Sequence, residues 1–309
     1  MHNYCQQLVT PIAFFVFRRP QTTKKVFDVI RQIKPKKLFL IADGPRINNQ
    51  DDFQKCSEVR KIIDNIDWNC QVLRNFSETN MGLKKRFSSG LDWVFDNVEK
   101  AIILEDDCLP DLSFFQFCEE LLNLYEDDKR VFSITGHNHL GNWKSGVQSY
   151  HFSYYFNCWG WATWKRVWDL YDADMKAWSE KQVKESVRDV IADKRQFFNR
   201  AKLLDLTYTG KINTWDYQFF FLCLMQSGFT ITPSTNLISN IGFGEDATNT
   251  VNEKDNRIIY EVNPLTFPIK HPLAMAVDRE YDYRRYRKVW AQKGWKKLIP
   301  KPFSIEPKK

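Results

Sequence analysis

The sequence predicts an α/β fold in which a mostly parallel central sheet is flanked by helices. Strand-like and helix-like stretches alternate over the first 135 residues, the pattern expected of parallel strands joined by crossover helices. The strand-like stretches are short continuous apolar runs, as in strands buried on both faces. The chain of 309 residues, 43% of them hydrophobic and 27% charged, has the size and composition of one large globular domain.

The first predicted strand covers Ile12 to Phe17, and a helix over Gln21 to Ile33 follows it with its apolar residues on one face. Pro35 ends that helix. A second buried strand, Leu38 to Ala42, leads into the loop Asp43 to Pro45. The next helix is marked by the apolar residues Val59, Ile62, Ile63 and Ile66.

The third strand, Gln71 to Leu73, is short, and a helix over Leu83 to Val98 leads into the fourth strand, Ala101 to Leu104. That strand runs directly into three adjacent acids, Glu105 to Asp107. Ligands of open α/β sheets bind beyond the carboxyl ends of the strands. We therefore expect Asp43 and the three acids at the binding edge.

The second half is less regular. A helix over Ser113 to Tyr125 and a strand over Val131 to Thr135 continue the alternation, which ends after Gly136. Further helices are predicted over Val183 to Leu206 and Trp215 to Gln226. We expect one domain over residues 1–278, with a nucleotide-sugar-binding half (1–135) and an acceptor and catalytic half (136–278), and a basic aromatic tail over 279–309.

The positive charge of the chain is concentrated in that tail. The formal net charge is +7, and residues 279–309 hold eleven Lys or Arg against three acids. The rest of the chain is close to neutral. This excludes a basic nucleic-acid groove across the main domain, since phosphate contacts need clustered cations on the folded body.

Cysteine spacing and hydropathy exclude other classes. The seven cysteines are scattered singly without a CxxC pair, which predicts neither a zinc site nor a disulfide framework. No apolar run reaches the roughly 18 residues of a membrane-spanning helix. The N-terminus lacks the basic head and apolar middle of a secretory signal, so we expect a cytoplasmic protein.

The adjacent carboxylates Glu105, Asp106 and Asp107 predict a metal site. Acids crowded at the edge of a core repel one another and resist desolvation. A divalent cation would compensate them, and Mg²⁺ or Mn²⁺ prefers such hard oxygen ligands and bridges them to phosphates. A solvated acidic turn is the alternative.

The segment Ile102 to Pro110, followed by Phe114 and Phe115, resembles the acidic metal motif of GT-A glycosyltransferases such as N-acetylglucosaminyltransferase I. A closer resemblance is to bacterial hemolytic-protein-like (HlpA-like) glycosyltransferases. It rests on five runs that are specific in combination: FRRP at 17–20, ADGP at 42–45, NMGLKK at 80–85, CWGWATW at 158–164 and SNIGFGEDAT at 239–248. The resemblance implies the Rossmann-like GT-A fold and a metal-dependent enzyme that uses a nucleotide-sugar donor, with UDP as the first guess and Mn²⁺ or Mg²⁺ as cofactor.

By position, the resemblance implies that Asp107 is the direct metal ligand, while Glu105 and Asp106 lie against the ribose or the sugar. It also places Asp43 at the nucleobase and Arg19 beside the nucleotide. A surface arginine is the alternative for Arg19.

The run Lys84, Lys85 and Arg86 opens a helix after Gly82, where backbone N–H groups and cationic side chains can meet a diphosphate. A solvated helix start is the alternative. Many enzymes of the resembling families place a metal-binding His after the strand that follows the base helix, but Leu237 to Asn240 here contains none. We therefore expect protein ligation of the metal to rest on Asp107 alone, completed by diphosphate and water.

Asp216 is the candidate general base of an inverting transferase. In such enzymes a carboxylate removes the proton of the acceptor hydroxyl as its oxygen attacks the anomeric carbon. Asp216 precedes an apolar helix, the position at which related inverting transferases place their base. An ordinary N-cap is the alternative for Asp216, and Glu245 and Asp246 form the rival pair in a glycine-bearing loop.

The tryptophans of the middle region suit either sugar stacking or a core. Trp161, Trp164 and Trp168 follow helical spacing and are expected in the core. Trp159 and Trp215 are the candidate acceptor contacts. The histidines at 137, 139 and 151 show no ligand spacing.

The sequence is also compatible in part with two other functions. A sugar-1-phosphate nucleotidyltransferase would need a glycine-rich phosphate loop after the first strand, and Phe17 to Pro20 contains no glycine. A non-catalytic sugar-binding module would need no base, whereas Asp216 accompanies the acids.

The acceptor is expected to be a glycan, a lipid-linked sugar or a protein. Basic residues mixed with Trp and Tyr in 279–309 suit an anionic membrane surface, so a peripheral position at the inner face of the plasma membrane is expected. A solvated terminus is the alternative.

Overall fold

The computed structural model describes residues 7–242 and 260–291. The strands of the first half are β1 (Ile12–Val16), β2 (Lys37–Ala42), β3 (Gln71–Phe76), β4 (Lys100–Glu105) and β5 (Cys108–Pro110). The helices between them are α1 (Pro20–Ile33), α2 (Gln50–Asp64), α3 (Leu83–Phe95) and α4 (Leu112–Leu124). Across the described ranges, none of the helices has the length and apolarity needed to cross a membrane.

The second half is built on shorter elements. Its strands are β6 (Val131–Thr135), β7 (Tyr150–Ser153), β8 (Trp161–Trp164), β9 (Phe229–Pro233) and β10 (Ile238–Asn240). Its helices are α5 (Lys165–Trp168), α6 (Lys181–Ile191), α7 (Lys194–Tyr208), α8 (Asp216–Met225) and α9 (Arg279–Tyr286), which continues as a π-helical turn over Arg287–Ala291.

The predicted α/β architecture is confirmed. Eight strands form one sheet in the order β3-β2-β1-β4-β8-β6-β9-β7. The pairs among β1 to β4 are parallel, whereas β8 and β7 run antiparallel to their neighbours. Six of the eight strands therefore point in one direction, and their carboxyl ends share one edge of the sheet. A second, two-stranded sheet pairs β10 with β5 beyond that edge.

The central strands of the sheet are buried on both faces. All five residues of β1 are buried, as a continuous apolar run predicts. Phe27 of α1 stacks on Phe14 with ring centroids 6.3 Å apart, and Phe87 of α3 stacks on Phe15 at 4.1 Å. Helices thus cover both faces of the sheet, and its carboxyl edge is bordered by loops.

Two predicted helical patterns are corrected. The helix expected over 183–206 is divided, because Ala192 adopts the left-handed conformation and Asp193 caps a new helix by accepting a hydrogen bond from the N–H of Gln196. Trp161 and Trp164 are buried in the core as expected, but they belong to a strand. Their spacing is compatible with a helix, and pairing with β4 and β6 decides for the strand.

The start of the expected tail is instead part of the main body. Tyr281 and Asp282 of α9 are 1% and 3% exposed. Asp282 accepts hydrogen bonds from the hydroxyl of Ser153 at 2.5 Å and the N–H of Tyr154 at 3.2 Å. The expected boundary at residue 279 therefore coincides with the start of a helix that packs on the main body, and residues 292–309 lie outside the described residues.

Candidate functional site

The carboxyl edge of the sheet holds the three predicted acids on one turn. Glu105 is the last residue of β4 and lies in register with Phe15 of β1. Asp106 and Asp107 form the turn between β4 and β5. Asp106 is 2% exposed, and its Oδ2 accepts a hydrogen bond from the N–H of Phe17 at 3.2 Å. The end of β1 therefore fixes this acid cluster, by which we mean Glu105, Asp106 and Asp107.

Arg19 places a positive charge inside the acid cluster. It immediately precedes α1, and its guanidinium lies 2.8 Å from Oδ1 of Asp106 and 2.8 Å from Oδ2 of Asp107. Its side chain is only 16% exposed, so the alternative that Arg19 is a surface arginine is wrong. The sequence predicts that a metal ion alone offsets the negative charge of the three carboxylates. Arg19 offsets part of that charge. One guanidinium against three carboxylates leaves an excess of negative charge.

Burial shifts the protonation of the acid cluster. It raises the pKa of Glu105 well above its usual value; the charge of Asp107 adds to the rise and Arg19 opposes it. Burial also raises the pKa of Asp106 to about 6, again against Arg19. Burial would lower the pKa of Arg19, but Asp106 and Asp107 together raise it above its usual value. Additional positive charge at this turn would therefore stabilise the ionised carboxylates.

The segment after β9 borders the acid cluster from the other side. The N–H of Ile241 donates to the backbone O of Asp107 at 2.8 Å, and the N–H of Gly242 donates to Oδ1 of Asn240 at 2.9 Å. A Cβ at position 242 would fall 2.7 Å from Nη1 of Arg19 and would collide with the Asp107 carboxylate. Glycine is therefore required for this close approach. The sequence contained Gly242 in a motif, but nothing in the local pattern indicated its partners.

Asp43 is hydrogen-bonded to the loop before α3. Its side chain is 6% exposed. It accepts hydrogen bonds from the N–H groups of Gly44 at 2.8 Å, Met81 at 2.9 Å and Gly82 at 3.2 Å, and from Nδ2 of Asn80 at 3.0 Å. The three bonds from Asn80, Met81 and Gly82 join the end of β2 to the start of α3. Asp43 thus organises the loop, and its expected contact with a nucleobase stays a prediction.

The three predicted cations at the start of α3 point in different directions. Lys84 is partly exposed, with its Nζ 3.7 Å from Oδ1 of Asp174, and Lys85 is exposed. Arg86 is 6% exposed, and its guanidinium donates to the backbone O of Asn75 and, at 3.1 Å, to its Oδ1. Arg86 therefore ties α3 to the end of β3. Lys84 and Lys85 remain the candidates for a diphosphate contact.

Asp216 is the first residue of α8, and it faces the acid cluster. Trp215 occupies the N-cap position without a side-chain cap bond, so the N-cap alternative for Asp216 does not apply. The Thr214 hydroxyl donates to its Oδ1. Burial raises the pKa of Asp216, and bonds from Thr214 and the N–H of Tyr217 oppose the rise. The neighbouring Trp215 stacks on Trp161, which pairs with Ile103, two residues before Glu105. The charge of Asp216 also contributes to the raised pKa of Glu105.

Trp215 belongs to the core, which corrects its expected acceptor contact. It is 2% exposed, and its ring stacks on Phe87 of α3 at 3.7 Å and on Trp161 of β8 at 5.5 Å. No face of the ring is open to an acceptor. The stacking instead fixes the start of α8 against α3 and β8, and thereby fixes Asp216.

Trp159 is half-buried and lies two residues before Trp161, which pairs with Ile103 of β4. Its neighbour Cys158 has a pKa raised by burial and further raised by the charges of Asp216, Glu105 and Asp107. The residues just before β8 therefore lie next to both the acids and the candidate base. The acceptor role of Trp159 stays a prediction.

The rival base residues Glu245 and Asp246 lie outside the described residues. In 7–242 and 260–291, no three His, Cys, Asp or Glu side chains converge as a ready-made set of metal ligands. A metal at this site would therefore take further ligands from a bound molecule or water. The assignment of a metal to Asp107 stays a prediction.

Comparisons with known proteins find only distant structural likenesses. No family model matches the chain, and no curated protein matches it. One similar solved structure is the 4-diphosphocytidyl-2C-methyl-D-erythritol synthase of Anaerococcus prevotii DSM 20548, with 8% identity, a TM-score of 0.34, and coverage of 56% of this chain and 78% of that one. Another is an apo UDP-glucose pyrophosphorylase, with 8% identity, a TM-score of 0.36, and coverage of 75% and 93%. At these values neither likeness extends to function.

Proposed function

We propose that the protein is a glycosyltransferase that moves a sugar from a nucleotide-sugar donor to an acceptor hydroxyl with inversion. The observation that carries the proposal is the juxtaposition of two acidic groups with different surroundings. The acid cluster is paired with Arg19 at the carboxyl edge of the sheet. Asp216, at the start of α8, lies near enough for its charge to raise the pKa of Glu105, and it has no ion pair within residues 7–242 and 260–291. Separate acids for donor binding and proton removal are what this reaction requires.

The donor would bind at the acid cluster with its diphosphate near the start of α3. A hard divalent cation fits the chemistry of this turn, because the Glu105 carboxylate has no hydrogen-bond donor among the described residues and Oδ1 of Asp107 has only the Cys108 thiol at 3.4 Å. Bound there, Mn²⁺ or Mg²⁺ would neutralise charge on the leaving diphosphate. Lys84 and Lys85 would add positive charge from α3.

Asp216 would act as the general base. The acceptor oxygen forms a bond to the anomeric carbon, the bond from that carbon to the diphosphate breaks, and the hydroxyl proton passes to a carboxylate oxygen of Asp216. The stacking of Trp215 holds this carboxylate in place, which limits the reorganisation needed at the moment of reaction. The raised pKa of Asp216 brings it nearer to neutral pH, as suits a base.

A sugar-1-phosphate nucleotidyltransferase is the second candidate. An acid cluster beside a cationic helix start also suits a nucleoside triphosphate and a sugar phosphate. The segment between β1 and α1 argues against it, because Phe17 to Pro20 contains no glycine and Pro20, at the first position of α1, has no N–H to offer a phosphate.

The two activities give different products. The protein should be incubated with UDP-sugars and Mn²⁺, with and without acceptor sugars, and separately with UTP and sugar 1-phosphates. Slow, Mn²⁺-dependent release of nucleoside diphosphate from a UDP-sugar is expected for the transferase. Release of pyrophosphate from UTP would instead establish the nucleotidyltransferase. Donor binding in a thermal-shift screen without either product would leave only a sugar-binding module.

The acceptor is proposed to be a glycan, a lipid-linked sugar or a protein. Contact with a membrane surface would come from the basic residues of 292–309, since α9 is part of the folded body.

A further inference from the structure

A second group of polar and aromatic side chains lies at the same edge of the sheet. His137 and His139 follow β6, while Asn157 and Trp159 precede β8. The ring of His137 packs edge-to-face on His139 at 4.5 Å, on Trp159 at 4.7 Å and on Tyr260 at 4.6 Å. We call these five residues the His–Trp–Tyr cluster. The mechanism above uses none of its polar groups.

Hydrogen bonds fix the orientation of the His–Trp–Tyr cluster. Nδ2 of Asn157 lies 2.6 Å from Nε2 of His139, and Oδ1 of Asn157 accepts from the N–H of Trp159 at 2.9 Å. The hydroxyl of Tyr260 is 3.5 Å from Nδ1 of His139. Trp159 and Tyr260 are only half-buried, so the outer side of the cluster is accessible. Aromatic side chains combined with a few precisely placed polar groups are typical of small-molecule binding sites.

One lysine gives this surface a positive charge. Nζ of Lys288, in the π-helical turn after α9, lies 5.0 Å from the ring centroid of Tyr260. Lys288 is half-buried and forms no ion pair with any acid in the described ranges. The neighbouring Arg285 is occupied, since its guanidinium donates to the backbone O of Tyr155 at 2.6 Å and of Phe156 at 3.0 Å.

The charges around the cluster favour an anion. Burial lowers the pKa of His137 to about 3, and Arg285 and Lys288 lower it further. The pKa of His139 is lowered by burial and by the same cations. Both rings are therefore neutral near pH 7, and Lys288 is the accessible charge. A half-buried ammonium is stabilised by an anionic partner.

The cluster is adjacent to the proposed catalytic base. Trp159 lies two residues before Trp161, which pairs with Ile103, two residues before Glu105. The ring of Trp161 also stacks on Trp215, the residue before Asp216. A sugar that packs on Trp159 and Tyr260 would thus extend from Lys288 towards Asp216. That is the position an acceptor needs if its hydroxyl is to lose a proton to Asp216.

We propose that Lys288 and the His–Trp–Tyr cluster form an acceptor subsite that selects a sugar bearing an anionic group, either a phosphate or a carboxylate. The rings of Trp159 and Tyr260 pack on the apolar face of the sugar, Asn157, which His139 orients, binds its hydroxyls, and Lys288 pairs with the anion. The inference deepens the proposed transferase function and rests on it for the identity of the subsite.

Binding of simple sugars tests the proposal without any transfer reaction. Dissociation constants for glucose, glucose 6-phosphate and glucuronate are measured by ligand-observed NMR in EDTA, which suppresses metal-dependent binding at the acid cluster. The wild-type chain should bind at least one charged sugar about tenfold more tightly than glucose, equivalent to about 1.4 kcal/mol. A preference for glucose 6-phosphate assigns a phosphate-bearing acceptor, and one for glucuronate assigns a carboxylate.

Two variants locate the effect. Lys288→Met keeps an unbranched side chain over Tyr260 and should abolish the charge preference while glucose affinity is unchanged. Arg287→Ala removes an exposed cation one position earlier in the same turn and should keep the preference. Circular dichroism and the Tm of each variant verify folding.

Three results would overturn the subsite. The wild type could bind neutral and charged sugars equally well, it could bind none of them, or the preference for a charged sugar could survive Lys288→Met. Binding of UDP with Mn²⁺ to the same variants separates this failure from failure of the proposed function. If UDP still binds but the wild type does not prefer charged sugars over glucose, the subsite is refuted and the proposed transferase function is not. If the preference for charged sugars is present but UDP does not bind and no nucleoside diphosphate is released, the transferase function is refuted and the subsite is not.

Discussion

Replacing Arg19 by Met removes the cation that lies between Asp106 and Asp107 and keeps an unbranched side chain. Two charge-assisted contacts of 2.8 Å are lost, and a carboxylate that is 3% exposed is left without its partner. Removing one member of a buried ion pair costs about 3–5 kcal/mol. Arg19 and Asp107 each keep 16% exposure, so water screens part of the effect. We expect the free energy of unfolding to fall by about 3 kcal/mol at pH 8.

The loss should depend on pH with a definite sign. Burial raises the pKa of Asp106 to about 6 and that of Glu105 well above its usual value, and Arg19 opposes both shifts. Without Arg19 both pKa values rise further. A carboxyl whose pKa is higher in the folded than in the unfolded chain makes the protein lose stability as pH rises. The penalty of Arg19→Met should therefore be larger at pH 8 than at pH 5, where Asp106 is mostly protonated even in the wild type.

Urea unfolding at pH 5 and pH 8 measures both effects. Arg74→Met is the matched control, because Arg74 pairs with Asp64 at 2.6 Å but the two side chains are 43% and 46% exposed. Loss of such a surface pair costs about 0–1 kcal/mol. The reasoning is refuted if Arg19→Met costs no more than Arg74→Met, or if its cost is the same at both pH values.

Asp216→Asn should lower kcat for transfer about 10²–10⁴-fold with donor affinity nearly unchanged, because an amide cannot accept the proton. Wild-type kcat should fall as pH drops through the pKa of Asp216, which burial has raised; a fully active Asn variant would remove it as the base. Asp107→Asn should abolish the Mn²⁺-dependent part of UDP binding in calorimetry while Tm in the absence of ligand is retained, and unchanged affinity would contradict the metal assignment. Gly242→Ala should lower both donor affinity and Tm, whereas Gly146→Ala, whose Cβ would meet nothing within 4 Å, should change neither. Equal effects of the two substitutions would refute the close-approach argument. Deletion of 292–309 should abolish flotation with anionic vesicles at low salt, and equal flotation of both chains would leave these residues without that role.

The first half of the fold could be predicted because its signals are local. The apolar runs of β1, β2 and β4 are bounded by Pro, Gly and charged residues, so strands and crossover helices follow from short windows of sequence. The position of the acid cluster then follows from topology, since the carboxyl ends of parallel strands share one edge.

Long-range pairings could not be predicted. The spacing of Trp161, Trp164 and Trp168 is compatible with a helix, and only the pairing of β8 with β4 and β6 makes the first two part of a strand. The contacts of Arg19 with Asp106 and Asp107 span almost 90 residues of sequence, and those of Lys288 with Tyr260 depend on how α9 packs. Each is fixed by tertiary packing, which overrides local propensity.

The pairing of β5 with β10 has a consequence for how the protein reaches its native state. It joins segments about 130 residues apart in sequence, and contacts of such separation form late because loop closure must precede them. The parallel strands β1 to β4 can assemble as soon as their own crossover helices exist. On the ribosome, a chain with a complete parallel sheet would still lack the geometry around Asp107 until residue 242 had emerged. Binding of the proposed nucleotide-sugar donor would therefore report the end of folding, whereas protease resistance of the first half would report a much earlier stage.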